Sequence, residues 1–198
     1  MNETLIINLI GGPGCGKSTS ASGIFYELKK HGINCELSLE FAKDKVWEES
    51  YKVLDDQFYV FGKQYHKLFR LKNKVDVVIT DSPLVISMHY NKAPSVYFNN
   101  LVVEQYNTFN NLLFFIKRGN TYQTEGRLQT LEESKRIDGD IKNILDTHNI
   151  EYIETGDIEK YMEKLSRSGH AEGNLTLALN NAYSTVNQEA TLAIFEAN

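Results

Sequence analysis

Only two cysteines occur among 198 residues, so no framework of disulfides can hold this chain together and a hydrophobic core must do so. Cys15 lies inside a glycine-rich stretch and Cys35 inside a predicted strand, which argues against pairing and suits a reducing cytoplasm. Long apolar runs are missing as well. The run from Leu5 to Ile10 is too short to span a bilayer or act as a secretory signal, and Met1-Asn2-Glu3-Thr4 before it carries no basic residue. We therefore expect a cytoplasmic protein with no membrane partner. Nor is there an excess of basic charge: 21 Lys and Arg against 26 Asp and Glu give a formal net charge of -5. Global attraction to nucleic acid is thereby excluded, and any such contact needs a local patch. Internal repeats are absent. What remains is 41% hydrophobic and 24% charged residues, the balance of an ordinary globular protein with room for one domain and an appendage.

Short apolar runs alternate with helical spacing along most of the chain. Thr4 to Ile10 reads as a strand buried on both faces, and Lys17 to Lys30 as a helix stopped by Gly32. A second strand is expected at Ile33 to Leu39, then helices at Phe41 to Leu54 and Gln57 to Lys72, the latter with Phe58, Phe61, Tyr65, Leu68 and Phe69 on one stripe. Val75 to Asp81 is the clearest strand. Val96 to Phe109 reads as a helix, Leu112 to Lys117 as a strand, Leu131 to Leu145 as a helix, Ile150 to Glu154 as a strand and Ile158 to Leu165 as a helix. This alternation predicts an α/β fold with a parallel sheet of about five strands and ligands at the strands' carboxyl ends. From Ser168 onward Lys and Arg vanish, so we divide the chain into a domain at 1–167 and a tail or docking segment at 168–198.

Gly11-Gly12-Pro13-Gly14-Cys15-Gly16-Lys17-Ser18 matches G-x-x-x-x-G-K-[ST], directly between a predicted strand and a predicted helix. In such a loop the glycines let main-chain N–H groups converge on phosphates. Lys17 reaches the β- and γ-phosphates, Ser18 ligates Mg²⁺, and Thr19 follows at the helix start. These residues predict binding of ATP with Mg²⁺. Asp81 closes a buried strand, where a P-loop fold puts the acidic group that helps hold Mg²⁺; the alternative is a helix cap. Glu40 ends the second strand and would face the same crevice, or else solvent. Glu40 and Asp81 are both candidates for the carboxylate that orients an acceptor hydroxyl and takes its proton. The polar segment from Arg118 to Arg127 lies between a strand and a helix; a lid there would exclude water, with Arg118 or Arg127 neutralising phosphate charge.

With these residues in view, the stretch from about Leu5 to Leu165 resembles the NadR-type ribosylnicotinamide kinases and related phage-encoded P-loop proteins. The likeness rests on the phosphate loop, on Glu40-Phe41-Ala42-Lys43, on Phe61-Gly62-Lys63-Gln64-Tyr65 and on Gly126-Arg127-Leu128. It implies a P-loop NTPase fold of the nucleoside- or nucleotide-kinase type. It also implies an acceptor pocket lined by Glu40, Gln64 and Asp81, with Lys43 beside them where an arginine is usual, and Arg127 in a lid. The segment after Ser168 has no counterpart in that pattern.

Three functions are consistent with these features. The first is transfer of the ATP γ-phosphoryl group to a nucleoside-like hydroxyl, with nicotinamide riboside the case the resemblance suggests; Trp47, Tyr51 and Tyr90 would then be stacking platforms or simply core. The second is a DNA kinase acting on 5-hydroxymethyluracil or a strand end, with Lys63, Lys67, Arg70 and Lys74 sharing a helix face for phosphate contact. The third is a nucleotide-dependent ATPase or switch whose tail engages a partner or a second copy.

Overall fold

The computed structural model describes residues 3–93, 95–118 and 130–155. Its elements are β1 (Leu5–Ile10), α1 (Lys17–Lys30), β2 (Cys35–Ser38), α2 (Phe41–Trp47), a 3₁₀ turn at Tyr51–Asp55, α3 (Gln57–Phe69), β3 (Val77–Thr80), α4 (Ile86–Tyr90), α5 (Val96–Tyr106), β4 (Asn110–Phe115), α6 (Leu131–Thr147) and β5 (Ile153–Glu154). The five strands are parallel in the order β2-β3-β1-β4-β5. β1 is central, and its carboxyl end therefore feeds the crevice where connections leave in opposite directions along the sheet, the usual ligand position in such folds.

The period of two in each strand divides the core into two layers. Ile6, Ile10, Val78, Leu113 and Phe115 point to a layer filled by Phe61, Leu68, Phe98, Val102, Ile141 and Leu145 from α3, α5 and α6. Ile7, Leu9, Val77, Ile79, Leu112 and Phe114 point to the other, where α1 contributes Ala21, Ile24 and Leu28. Each large aliphatic group so buried stabilises the fold by roughly 1.5–3 kcal/mol before entropy is counted.

The structure departs from the sequence-based expectations in several places. The helix expected over Phe41 to Leu54 stops at Trp47, and the chain continues into the 3₁₀ turn. Glu48 and Glu49 would place two carboxylates at the negative end of the helix dipole, and Glu49 breaks away at φ 55°. The helix expected to reach Lys72 ends at Phe69, after which Asn73 takes φ 59°. On α3 the buried stripe is Gln57, Val60, Phe61, Gln64 and Leu68, whereas Phe58 and Phe69 are exposed. The short helix α4 was not foreseen, because five residues are too few for a periodicity to register. The expected helix at Ile158 to Leu165, residues 119–129 with Arg127, and the tail at 168–198 lie outside the described residues.

Candidate functional site

The loop between β1 and α1 is built by glycines where the backbone requires them. Gly14 and Gly16 hold φ of 77° and 92°, values that side chains with a Cβ strain to adopt. Gly16 is the N-cap of α1 and brings no side-chain acceptor to the helix's first N–H groups. Those uncapped amides, with the positive end of the dipole and no acidic residue in the first turn, form an anion cradle. Lys17 folds back over it, donating from Nζ to the carbonyls of Gly11 at 2.8 Å and Gly12 at 3.0 Å. Thr19 is exposed at the same helix start, while Cys15 is buried beneath the loop.

Asp81 follows β3, and its carboxylate is 2% exposed. One oxygen accepts the Ser18 hydroxyl at 2.5 Å and the other accepts the Glu40 backbone N–H at 2.9 Å. Three segments that leave neighbouring strands β1, β3 and β2 thus meet at one carboxylate. Asp81 does not cap the helix that follows it, since the N-cap of α4 is Val85; its carboxylate receives instead the amide of Glu40, the N-cap residue of α2. Ser18 Oγ and Asp81 Oδ2 are adjacent hard oxygens, a donor set that fits Mg²⁺, which binds through few protein oxygens and retains water. Among the described residues no group of three His, Cys, Asp or Glu is gathered for a metal.

Glu40 is half-buried. Burial pushes its carboxyl above the ordinary range; Lys17 draws it back down and Asp81 pushes it up again. Its backbone N–H is bonded to Asp81, and Lys17 and Asp81 both act on its carboxyl. Tyr90 is a further neighbour, its phenol raised chiefly by burial and then by Glu40, Cys15 and Asp138. Lys43 is exposed, close enough to Glu40 to lower its pKa. Gln64 is 3% exposed, and its amide is spent inside the protein. Its oxygen accepts the Phe41 N–H at 3.2 Å and its nitrogen reaches Thr80 Oγ1 at 3.4 Å. It frames the turn carrying Glu40.

Of the aromatic residues singled out from sequence, Trp47 and Tyr51 are 67% and 46% exposed and so are not core, while Tyr90 is half-buried. Of the four basic residues only Lys74 leaves the helical spacing of α3. Lys63 and Lys67 lie within α3, Arg70 is its C-cap and Lys74 lies beyond its end. Lys67 is also engaged, donating to the Leu39 carbonyl at 2.8 Å.

One residue of the site escaped sequence reasoning altogether. Asp138 of α6 accepts the Gly12 N–H at 2.5 Å and holds Arg118 through Nε at 3.1 Å and Nη2 at 2.9 Å. Arg118 in turn donates from Nη1 to the Pro13 carbonyl at 2.6 Å. The signal was present in the helical pattern. Ser134, Asp138, Ile141 and Leu145 fall on one stripe, three of them are buried, and a carboxylate among such positions demands a partner.

With the geometry described, the chain can be compared with known proteins. Residues 6–160 match the model of a family described as an AAA domain. No curated protein sequence matches the chain. A crystal structure of NadR protein in complex with NR superposes with a TM-score of 0.59 at 14% identity, covering 91% of this chain and 52% of that one. The chain therefore spans about half the length of that protein. Deoxyadenosine kinase from M. mycoides superposes with a TM-score of 0.50 at 18% identity, covering 82% of this chain and 99% of the other. At these identities the likeness is one of fold: the P-loop architecture of the nucleoside- and nucleotide-kinase type, as the sequence led us to expect.

Proposed function

This chain belongs to the AAA domain family, and on that premise we propose that it is an ATP- and Mg²⁺-dependent kinase that phosphorylates a hydroxyl of a nucleoside-like acceptor. The observation that carries this reading is the double engagement of Asp81 by the Ser18 hydroxyl and by the backbone of Glu40. It sets the Ser18 and Asp81 oxygens beside the backbone of Glu40, the candidate carboxylate for orienting an acceptor hydroxyl.

The chain's own residues divide the work. The amides at the start of α1 and Lys17 hold the polyphosphate and, because they are fixed before reaction, favour the charge that builds up during transfer. Ser18 and Asp81 would hold Mg²⁺, which would supply charge neutralisation to the polyphosphate. Glu40, with a carboxyl raised by burial, is suited to orient the acceptor hydroxyl and receive its proton. Gln64 holds the backbone after Glu40 in place through Phe41. Arg127 belongs to this proposal as a lid residue.

A second reading, transfer to a hydroxyl carried by DNA, is favoured by one observation. Phe58, Tyr59 and Phe69 are 61%, 45% and 55% exposed on the helix that bears Lys63, and bases stack on such rings. One experiment tests both: transfer from labelled ATP to a panel of free nucleosides, to unmodified DNA and to DNA containing 5-hydroxymethyluracil. Salt-insensitive labelling of one nucleoside is the expected result. Labelling of DNA alone, steeply weakened by salt, selects the second reading. Release of phosphate with no labelled acceptor of either kind overturns the kinase proposal.

A further inference from the structure

In the motif G-x-x-x-x-G-K-[ST] the second position is free, yet here it is Gly12. The reason is not the phosphate side of the loop. A Cβ on Gly12 would lie 2.6 Å from the Ser134 carbonyl, 2.8 Å from Asp138 Oδ1 and 2.9 Å from Arg118 Nη2. The back of the loop is therefore in close contact with α6 and with Arg118, beyond the carboxyl end of β4. The Gly12 N–H also points that way, toward Asp138, and so is withdrawn from the donors that face a polyphosphate.

We propose that Asp138 is a positioning residue of the triphosphate site: one carboxylate oxygen fixes the Gly12 amide, the other fixes Arg118 on the Pro13 carbonyl, and together they hold the loop's first half in its binding shape. The side chains of Arg118 and Asp138 are 10% and 19% exposed, so the pair acts in a medium that screens it poorly. Arg118 donates to Asp138 through two N–H groups, which restricts its orientation as a single contact would not. Preorganisation of this kind matters because a loop that must be ordered by its ligand binds it more weakly. Helix α6 thereby becomes part of the nucleotide site.

This inference rests on the reading of the loop as an ATP site, and the two can fail separately. Calorimetric titration of the wild-type protein with ATP and Mg²⁺ tests the reading; absence of binding there sinks the function as well. Given wild-type binding, Asp138→Ala should raise the dissociation constant for ATP at least tenfold. In the ligand-free protein, hydrogen exchange should quicken in the peptide spanning Gly11 to Ser18 while β1 and the second half of α6 keep their protection. A general loss of stability would speed exchange everywhere, and a carboxylate that only anchors α6 would leave the loop peptide unchanged; either result overturns the proposal. So does a folded variant whose ATP affinity stays within twofold of wild type. Asp138→Asn, of the same size but without the charge on Arg118, takes the place of the alanine form if that does not fold, and is expected to weaken ATP in the same direction.

Discussion

Under the proposed function Lys17 is the residue on which the chemistry depends most directly, its ammonium lying over the loop against the carbonyls of Gly11 and Gly12. It is half-buried at the surface of a loop and supports no part of the core. Lys17→Ala should lower turnover by about 10²–10³-fold or more, the range for loss of a preorganised charge-stabilising group, with an unchanged circular dichroism spectrum. Glu40 gives a prediction in pH. Its folded pKa is raised, so the proton is held to higher pH than in an unfolded chain, and the basic form that the proposed mechanism requires appears only above that raised value. Its contribution to stability has the same sign. That contribution is present below the ordinary glutamate pKa and is lost as pH rises through the folded one. Turnover should therefore rise with pH along a limb lying above the ordinary glutamate range, and Glu40→Gln should remove both the limb and most of the rate. Asp81 binds the Ser18 hydroxyl and the Glu40 amide at once, so Asp81→Asn should raise the Mg²⁺ concentration needed for half-maximal rate about tenfold, a loss of roughly 1.4 kcal/mol in metal affinity. A magnesium titration identical to wild type would remove Asp81 from the metal position.

Among the elements, α1 both carries Lys17 and Ser18 and packs on the sheet through Ala21, Ile24 and Leu28. Leu28 is fully buried, and Leu28→Ala should cost about 2–5 kcal/mol in a urea titration by leaving a cavity beneath the helix. ATP binding per folded molecule should survive, because the loop geometry is set at the other end of α1. Helix α2 is different in kind. It buries no residue fully, and its start is held by single hydrogen bonds that the Glu40 N–H donates to Asp81 and the Phe41 N–H donates to Gln64. The acceptor side of the site thus rests on polar contacts while the phosphate side rests on the core. Helix boundaries were legible in the sequence where a cap or glycine marks them, as at Lys17 and Lys30. They were illegible where the outcome depended on dipole and φ at Glu49, or where an element such as α4 is too short to show a period.

For the molecule as a whole, the nucleotide should act as part of the fold. ATP with Mg²⁺ at a hundred times its dissociation constant stabilises the native state by about 2.7 kcal/mol, which for a chain of this size raises the melting temperature by roughly 5–10 °C. Scanning calorimetry checks this, and Lys17→Ala should lose most of the shift. The loop motif and the parallel α/β class were determined by the sequence alone. Eight consecutive residues contain the glycines, the lysine and the hydroxyl that the chemistry needs, and the alternation of short apolar runs with helical spacing is a local pattern. Which distant groups meet that loop was decided only by tertiary structure. The order β2-β3-β1-β4-β5 sets the ends of β1, β2 and β3 side by side, which is why Ser18, Glu40 and Asp81 share hydrogen bonds. The same packing brings Asp138 to the amide of Gly12 across a separation of 126 residues. Local periodicity places a side chain on a face of its own helix, but the partner across that face is chosen by how all the layers pack at once, and no window along the chain contains that information.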